Sequence, residues 1–286
     1  MNKIPKKIHQ IWYQGLEAIP EKYRLYSNTW RLESDFEYVF WDKSKIENLI
    51  NCFPKFWSVY DSFPTMIEKI DYAKYVILYV LGGIYIDMDV FSVNSLKRFF
   101  DVYDDRDFIA FEHNTPFFAM VSNKVLGLRG QKMMNNAVIA SKDKNQACLK
   151  LIQACAKKNQ KWATNFISNE MRCLVTTGPI AFTNCINKLV EKKPDLDIEI
   201  LEATMVEPFT TFEIADLLLE FSNKGLVAHT GTEIMNHFID LGKKKGVLQI
   251  SIGIHMSDLN WFVNGKNDWK FKLIHRFLEK SGTKNE

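Results

Sequence analysis

No excess of charge of either sign marks this chain of 286 residues, in which 37 lysines and arginines face 34 aspartates and glutamates for a formal net charge of +3. Nucleic-acid binding by bulk positive charge is excluded on that balance. Cysteine is scarce and unpatterned. Cys52, Cys148, Cys155, Cys173 and Cys185 are odd in number and contain no C-x-x-C, which excludes a disulfide framework or zinc knuckle and predicts buried free thiols. Long apolar runs are missing as well: Tyr75 to Ile86 is broken by Gly82 and Gly83 and falls well short of the roughly twenty residues that span a bilayer. The opening, Met1 to Trp12, lacks the apolar stretch of a signal peptide, so the expectation is a cytoplasmic protein, soluble or peripheral on a membrane. No internal repeat and no low-complexity segment is found.

What is present is an ordinary globular balance, 47% apolar and 25% charged residues, enough to bury one catalytic-sized core. β-type runs at Lys7 to Trp12, Glu37 to Trp41, Ile84 to Asp87, Phe108 to Phe111, Ile198 to Leu201, Leu226 to Ala228 and Val247 to Ile254 are separated by helical patterns, one of them at Asn145 to Lys158. Strands alternating with helices predict a layered α/β fold with a mostly parallel central sheet flanked by helices. From Lys266 the chain changes character, so residues 1–265 are read as the domain and 266–286 as a basic amphipathic tail.

The most informative stretch is MIEKIDYAKYVILYVLGGIYIDMDV, Met66 to Val90. Ile67, Ile70, Ile77, Leu78 and Leu81 recur at helical spacing, and the Gly82–Gly83 pair ends the helix. Ile84, Ile86, Met88 and Val90 then alternate with Tyr85, Asp87 and Asp89, which predicts an extended segment with both carboxylates on one face. Two carboxylates about 7 Å apart repel by roughly 2–3 kcal/mol at an effective dielectric near 20, a cost that a cation removes. All-oxygen ligands favour Mg²⁺ or Mn²⁺, ions that usually complete their shells with water and substrate phosphates. The implied substrate carries a diphosphate.

These residues resemble the D-x-D glycosyltransferases of family 32, which include yeast initiating α-1,6-mannosyltransferases and vertebrate α-1,4-galactosyl- and N-acetylglucosaminyltransferases. Three blocks carry the likeness: IPKKIHQIW at Ile4 to Trp12, DYAKYVILYVLGGIYIDMDV at Asp71 to Val90, and GIHMSDLNW at Gly253 to Trp261. The resemblance implies a GT-A fold, a UDP- or GDP-sugar donor, a glycan or lipid-linked acceptor, and transfer of a hexose with retention of configuration.

It also implies roles for residues. Asp89 would ligate the metal directly, and Asp87 would reach it through water while touching ribose or sugar, or the two would exchange parts. Trp12, with Gln10 before it, matches the first-strand block, where an aromatic ring stacks on the nucleotide base. Asp71 and Lys74 match D-x-x-R with lysine for arginine, leaving a point charge where a bidentate fork is usual. His255 would complete the metal site, with His229 in VAHTG as a competitor. Asn260 and Trp261 would touch the departing diphosphate. Glu112 and Asn123, and the TGP at Thr177 to Pro179, resemble segments that line the sugar and acceptor pocket; Glu112 would be a nucleophile or would hold a hydroxyl.

Two other readings compete. A phosphatase of the haloacid dehalogenase type also ends a buried strand with D-x-D, and a non-catalytic relative would bind a sugar nucleotide or glycan without turning it over. The tail adds an expectation of its own. Its six basic and three acidic residues, with Trp269, Leu273, Ile274, Phe277 and Leu278 on one helical face, suit either a packed terminal helix or contact with an anionic membrane.

Overall fold

The computed structural model describes residues 3–114, 132–162, 169–210, 213–214, 216–218 and 231–256. The strands are β1 (Lys7–Ile11), β2 (Glu37–Trp41), β3 (Gly83–Ile86), β4 (Val90–Ser92), β5 (Phe108–Glu112), β6 (Met134–Ser141), β7 (Ile198–Leu201) and β8 (Gly253–His255). Six of them form the central sheet in the order β2-β1-β3-β6-β5-β7, while β4 and β8 pair as a separate ribbon. β1 runs parallel to β2 and β3, and β5 parallel to β7; β6 alone is reversed, between β3 and β5. This mostly parallel α/β sheet agrees with the GT-A expectation.

The helices are α1 (Glu21–Arg31), α2 (Lys43–Asn51), α3 (Pro54–Ser62), α4 (Met66–Leu81), α5 (Leu96–Tyr103), α6 (Gln146–Trp162), α7 (Asn169–Thr176), α8 (Pro179–Lys192) and α9 (Gly231–Lys245). They cover both sheet faces, and the strand period of two divides the core accordingly. Ile84, Ile86, Ile109 and Phe111 pack on one face with Trp30, Phe99 and Phe100. Tyr85, Phe108 and Ala110 pack on the other with Tyr75, Val76 and Phe182. Burying both faces removes the need for polar residues in GIYI, and each large apolar side chain so buried contributes about 1.5–3 kcal/mol.

The helix expected before the glycine pair is α4. Thr65 caps its start by accepting the Glu68 N–H at 3.2 Å, and Gly82, at φ 62°, ends it. Gly83, at φ 102°, leaves no room for a side chain: a Cβ there would lie 2.6 Å from the Lys7 carbonyl oxygen. That close approach lets β3 lie beside β1. His9 fastens the same corner, with one ring nitrogen 2.8 Å from the Gly82 carbonyl and the other accepting from the Trp41 indole at 3.2 Å. Since the indole only donates, Nδ1 is the acceptor and Nε2 carries the proton. Burial lowers the His9 pKa to about 4.

Three expectations change. The strand does not continue through the carboxylates: β3 stops at Ile86, and Asp87 to Asp89 form a turn in which the Val90 N–H donates to the Asp87 carbonyl at 3.2 Å. The expected Val247 to Ile254 run is a strand only at β8. Its earlier part turns after α9 at Gly246, φ 68°, so that Leu248 packs against Gly242. A central strand, β6, went unread because Asn135 and Asn136 interrupt its alternation, and its apolar remainder is buried on both faces. The expected run at Leu226 to Ala228 lies outside the described residues.

Candidate active site

A cavity of about 420 Å³ opens where the chain leaves β1 and β3. Ligand sites of open α/β sheets form at the carboxyl ends of parallel strands. Trp12, Tyr13 and Gln14 line it after β1, and Asp87, Met88 and Asp89 after β3; the reversed β6 contributes its opposite end, Asn135 to Ala137. One side is apolar, from Met66, Ile67 and Ile70 of α4 with Leu174 and Pro179.

The wall built by α4 and β3 is a chain of buried charge. The Lys74 ammonium, 2% exposed, lies 2.8 Å from Asp71 Oδ1 and 5.2 Å from the centre of the Tyr85 ring. Burial opposes its charge, but Asp71, Asp87 and Asp89 outweigh that and its pKa is raised. Asp71 in turn accepts from the Asn136 amide at 3.2 Å and from the Thr177 hydroxyl at 3.0 Å. The TGP segment thus supports Asp71 through Thr177, while Gly178 and Pro179 line the cavity.

Asp87 follows Tyr85 by two residues and accepts from its phenol at 2.6 Å. Burial pushes the Asp87 carboxyl up to about 6, Lys74 pulls it down, and Asp89 adds to the rise. A site that holds two carboxylates this way is short of positive charge.

The opposite wall carries His113, Asn135 and His255 and is backed by Glu207, a residue the sequence reading passed over. It is buried, and its carboxylate oxygens lie 2.9 Å from His113 Nδ1 and 2.8 Å from His255 Nδ1. The Asn114 backbone N–H donates to it at 2.6 Å, and the Asn135 amide does so as well. Burial works against the charge of Glu207, yet the two histidines outweigh it and hold its carboxyl well below the usual range. His255 Nε2 faces Asp89 Oδ2 at 3.4 Å, and the acidic neighbours raise the imidazole well above its ordinary value against the effect of burial. A lone glutamate inside the apolar run Met205 to Phe209 was the one local signal for this wall. His113 and Asn135 had none.

The candidate residues therefore divide. Asp71, Lys74, Asp87, Asp89, His255 and Trp12 all line the cavity. Trp12 packs on Tyr23 with ring centres 5.2 Å apart, and its buried indole N–H has no hydrogen-bond partner among the described residues. Gln10 does not line it. The Gln10 side chain is wholly buried, accepts from the Tyr38 hydroxyl at 2.9 Å and donates to the Asp87 carbonyl at 3.3 Å, so it holds the turn from beneath. Glu112 is also outside the lining, its carboxylate 2.8 Å from the exposed Lys132. Asn123, His229, Asn260, Trp261 and the tail lie outside the described residues.

Among the described residues, no group of three or more acidic, histidine or cysteine side chains is arranged to hold a metal ion by itself. Asp87, Asp89 and the Nε2 side of His255 instead offer an open, partial set. That donor chemistry fits a hard divalent ion that takes its remaining ligands from diphosphate and water.

The family profile described as "Glycosyltransferase sugar-binding region containing DXD motif" matches residues 20–110, which includes α4, the glycine pair and both aspartates. An uncharacterized glycosyltransferase of Acanthamoeba polyphaga mimivirus is 29% identical over 208 residues, 72% of this chain and 73% of the viral protein. Inositol phosphoceramide mannosyltransferase 3 of Schizosaccharomyces pombe is 45% identical over 89 residues, 30% of this chain and 24% of that enzyme. Among solved structures, the UDP-bound glycosyltransferase domain of the YGT toxin aligns over 70% of this chain and 80% of that domain, with 10% identity and a TM-score of 0.47.

Residues 20–110 thus match the DXD-containing sugar-binding region of glycosyltransferases, and glycosyl transfer is the function that this match and the similar proteins support. The dehalogenase-type phosphatase reading is set aside. The alignment with the fission-yeast mannosyltransferase spans about a quarter of that enzyme, so its acceptor is a property of that enzyme. Among the described residues, no helix is long and apolar enough to cross a membrane.

Proposed function

We propose that the chain moves a hexose from a UDP- or GDP-sugar to a glycan or lipid-linked acceptor, with retention at the anomeric carbon and with Mn²⁺ or Mg²⁺ at the D-x-D turn. The observation that carries the reading is the convergence of Asp87, Asp89, His255, Lys74 and Trp12 on one cavity, although they come from three separate stretches of chain. Asp89, Asp87 and His255 would hold the ion, which supplies positive charge to the leaving diphosphate. Lys74 adds a second, fixed cation. Because it is already desolvated and aimed, its charge reaches developing phosphate charge at low dielectric with little reorganisation. Trp12 offers a ring face to the base, and Asp71 holds Lys74 and offers an acceptor to a sugar hydroxyl.

Retention admits a double displacement or a front-face reaction. Glu112, the carboxylate considered as nucleophile, is paired with Lys132 outside the cavity lining, which favours the front-face route. There the leaving phosphate oxygen takes the acceptor's proton as the new glycosidic bond forms and the old one breaks. The decisive experiment is turnover of a panel of UDP- and GDP-sugars with Mn²⁺ or Mg²⁺, comparing wild type with Asp89→Ala. Transfer is expected to fall at least about 10³-fold in the variant, together with metal-dependent donor binding. Unchanged donor affinity in the variant would sink the metal assignment, and donor binding without turnover in the wild type would restore the binding-only relative.

A further inference from the structure

We propose that Glu207 is a positioning residue that fixes the proton of a cavity histidine, holding His255 with Nδ1–H so that its Nε2 faces Asp89 at the metal position. The inference rests on the reading of Asp87, Asp89 and His255 as the metal site.

The geometry leaves little freedom. An ionised carboxylate can only accept hydrogen bonds, and His255 Nδ1 lies 2.8 Å from Glu207 Oε1. A lone pair on Nδ1 at that separation would face a lone pair on oxygen, so the proton must reside on Nδ1. Asn135 Nδ2 also approaches His255 Nδ1, at 3.1 Å, but the Asn135 carbonyl oxygen is occupied by the Ala137 N–H. Its amide therefore donates to Glu207 beside the imidazole. His113 Nδ1 lies 2.9 Å from the other carboxylate oxygen, so both rings that Glu207 faces line the same cavity.

Glu207 is itself held on every side. Its own backbone N–H donates to the Ala203 carbonyl at 2.7 Å, the Asn114 N–H and side chain clasp its carboxylate and carbonyl at 2.6 and 2.8 Å, and the His255 N–H donates to the Val206 carbonyl at 2.9 Å. Three distant segments thus meet at one carboxylate that itself lies outside the lining. Burying a charge at 2% exposure is expensive unless it is fully bonded, and here its bonds run to the residues that would touch the ion and substrate. A carboxylate behind a metal-ligating imidazole sets its tautomer and ring orientation, and losing it typically costs about 10- to 100-fold in metal affinity.

The test uses the full chain with ¹⁵N-labelled histidine. Long-range ¹H–¹⁵N correlation spectra, recorded without metal and with Mg²⁺ and UDP or GDP, should show Nδ1 of His255 protonated. A pyridine-type Nδ1 at His255 in the wild type overturns the proposal, whether or not any variant folds. In Glu207→Gln, an isosteric side chain that can donate as well as accept, the Nδ1 signature should become mixed and Mn²⁺ affinity of the folded protein by calorimetry should fall about 10- to 100-fold. Retained Nδ1 protonation with unchanged Mn²⁺ affinity overturns it equally. If the wild type binds Mn²⁺ in no arm, alone or with UDP or GDP, the metal reading fails, while the spectra still decide what Glu207 does.

Discussion

The two charged walls of the cavity are built in opposite ways. The wall of Asp71, Lys74, Tyr85 and Asp87 comes from one continuous stretch, in which helical spacing places Asp71 beside Lys74 and the turn that follows β3 leaves Asp87 within reach of the Tyr85 hydroxyl. The wall of Glu207, His113 and His255 has no local spacing at all, since its residues lie 94 and 48 positions or more apart in the chain and meet only when β5, the turn after Ala203–Met205 and β8 are packed together. A charge network encoded within one supersecondary unit is visible as a motif. One assembled from separate segments depends on the tertiary fold for every bond it makes.

Breaking the first wall should give the largest change. Lys74→Met removes one partner of a buried pair and leaves Asp71 and Asp87 without their cation, so a loss of about 3–5 kcal/mol in unfolding free energy by denaturant titration is expected, with donor binding impaired as well. Lys74→Arg should recover part of both. A Lys74→Met protein as stable as wild type would show that this wall is not held by its charge.

The corner beneath that wall gives a pH test. His9 is neutral when folded, with its pKa lowered by burial to about 4, whereas an unfolded histidine titrates near 6.5. Between these values the unfolded chain binds a proton that the folded chain does not. The contribution is therefore complete above pH 6.5 and is lost as the pH falls toward 4, to a total of roughly 3 kcal/mol. Chemical denaturation from pH 7.5 to 4.5 should show this decline, and His9→Gln should flatten its share of it. An unchanged slope in the variant would remove His9 as the corner's acid-sensitive fastening.

The smallest expected effect is at the edge between the walls. Trp12→Ala should weaken binding of UDP or GDP by about 1–3 kcal/mol in calorimetry, and Trp12→Phe by less. If the melting temperature falls while nucleotide affinity holds, Trp12 serves its contact with Tyr23 and not a base.

Much of the first wall was open to reading from the chain alone, because α4 and β3 announce themselves by periods of 3.6 and two and the glycine pair marks the break between them. The same reading erred at Asp87 and Asp89, which it placed on a continuing strand. Both still line the cavity, but a turn presents them, and Gln10 from β1 and the Asn135–Asn136 end of β6 surround that turn with contacts that no local pattern carries. β6 escaped for a related reason: a strand covered on both faces has no polar alternation to read.

Composition, periodicity and the D-x-D block settled the α/β class, the helix that ends at Gly82 and the carboxylates that line the cavity, because those properties are decided over a dozen neighbouring residues. The reversed direction of β6, the withdrawal of Gln10 and Glu112 from the cavity lining, and the meeting of Glu207 with two histidines were decided only by the folded chain. They depend on which side chains become neighbours when segments distant in the chain are packed against one sheet, and burial and hydrogen-bond satisfaction between such segments leave no spacing behind in the sequence.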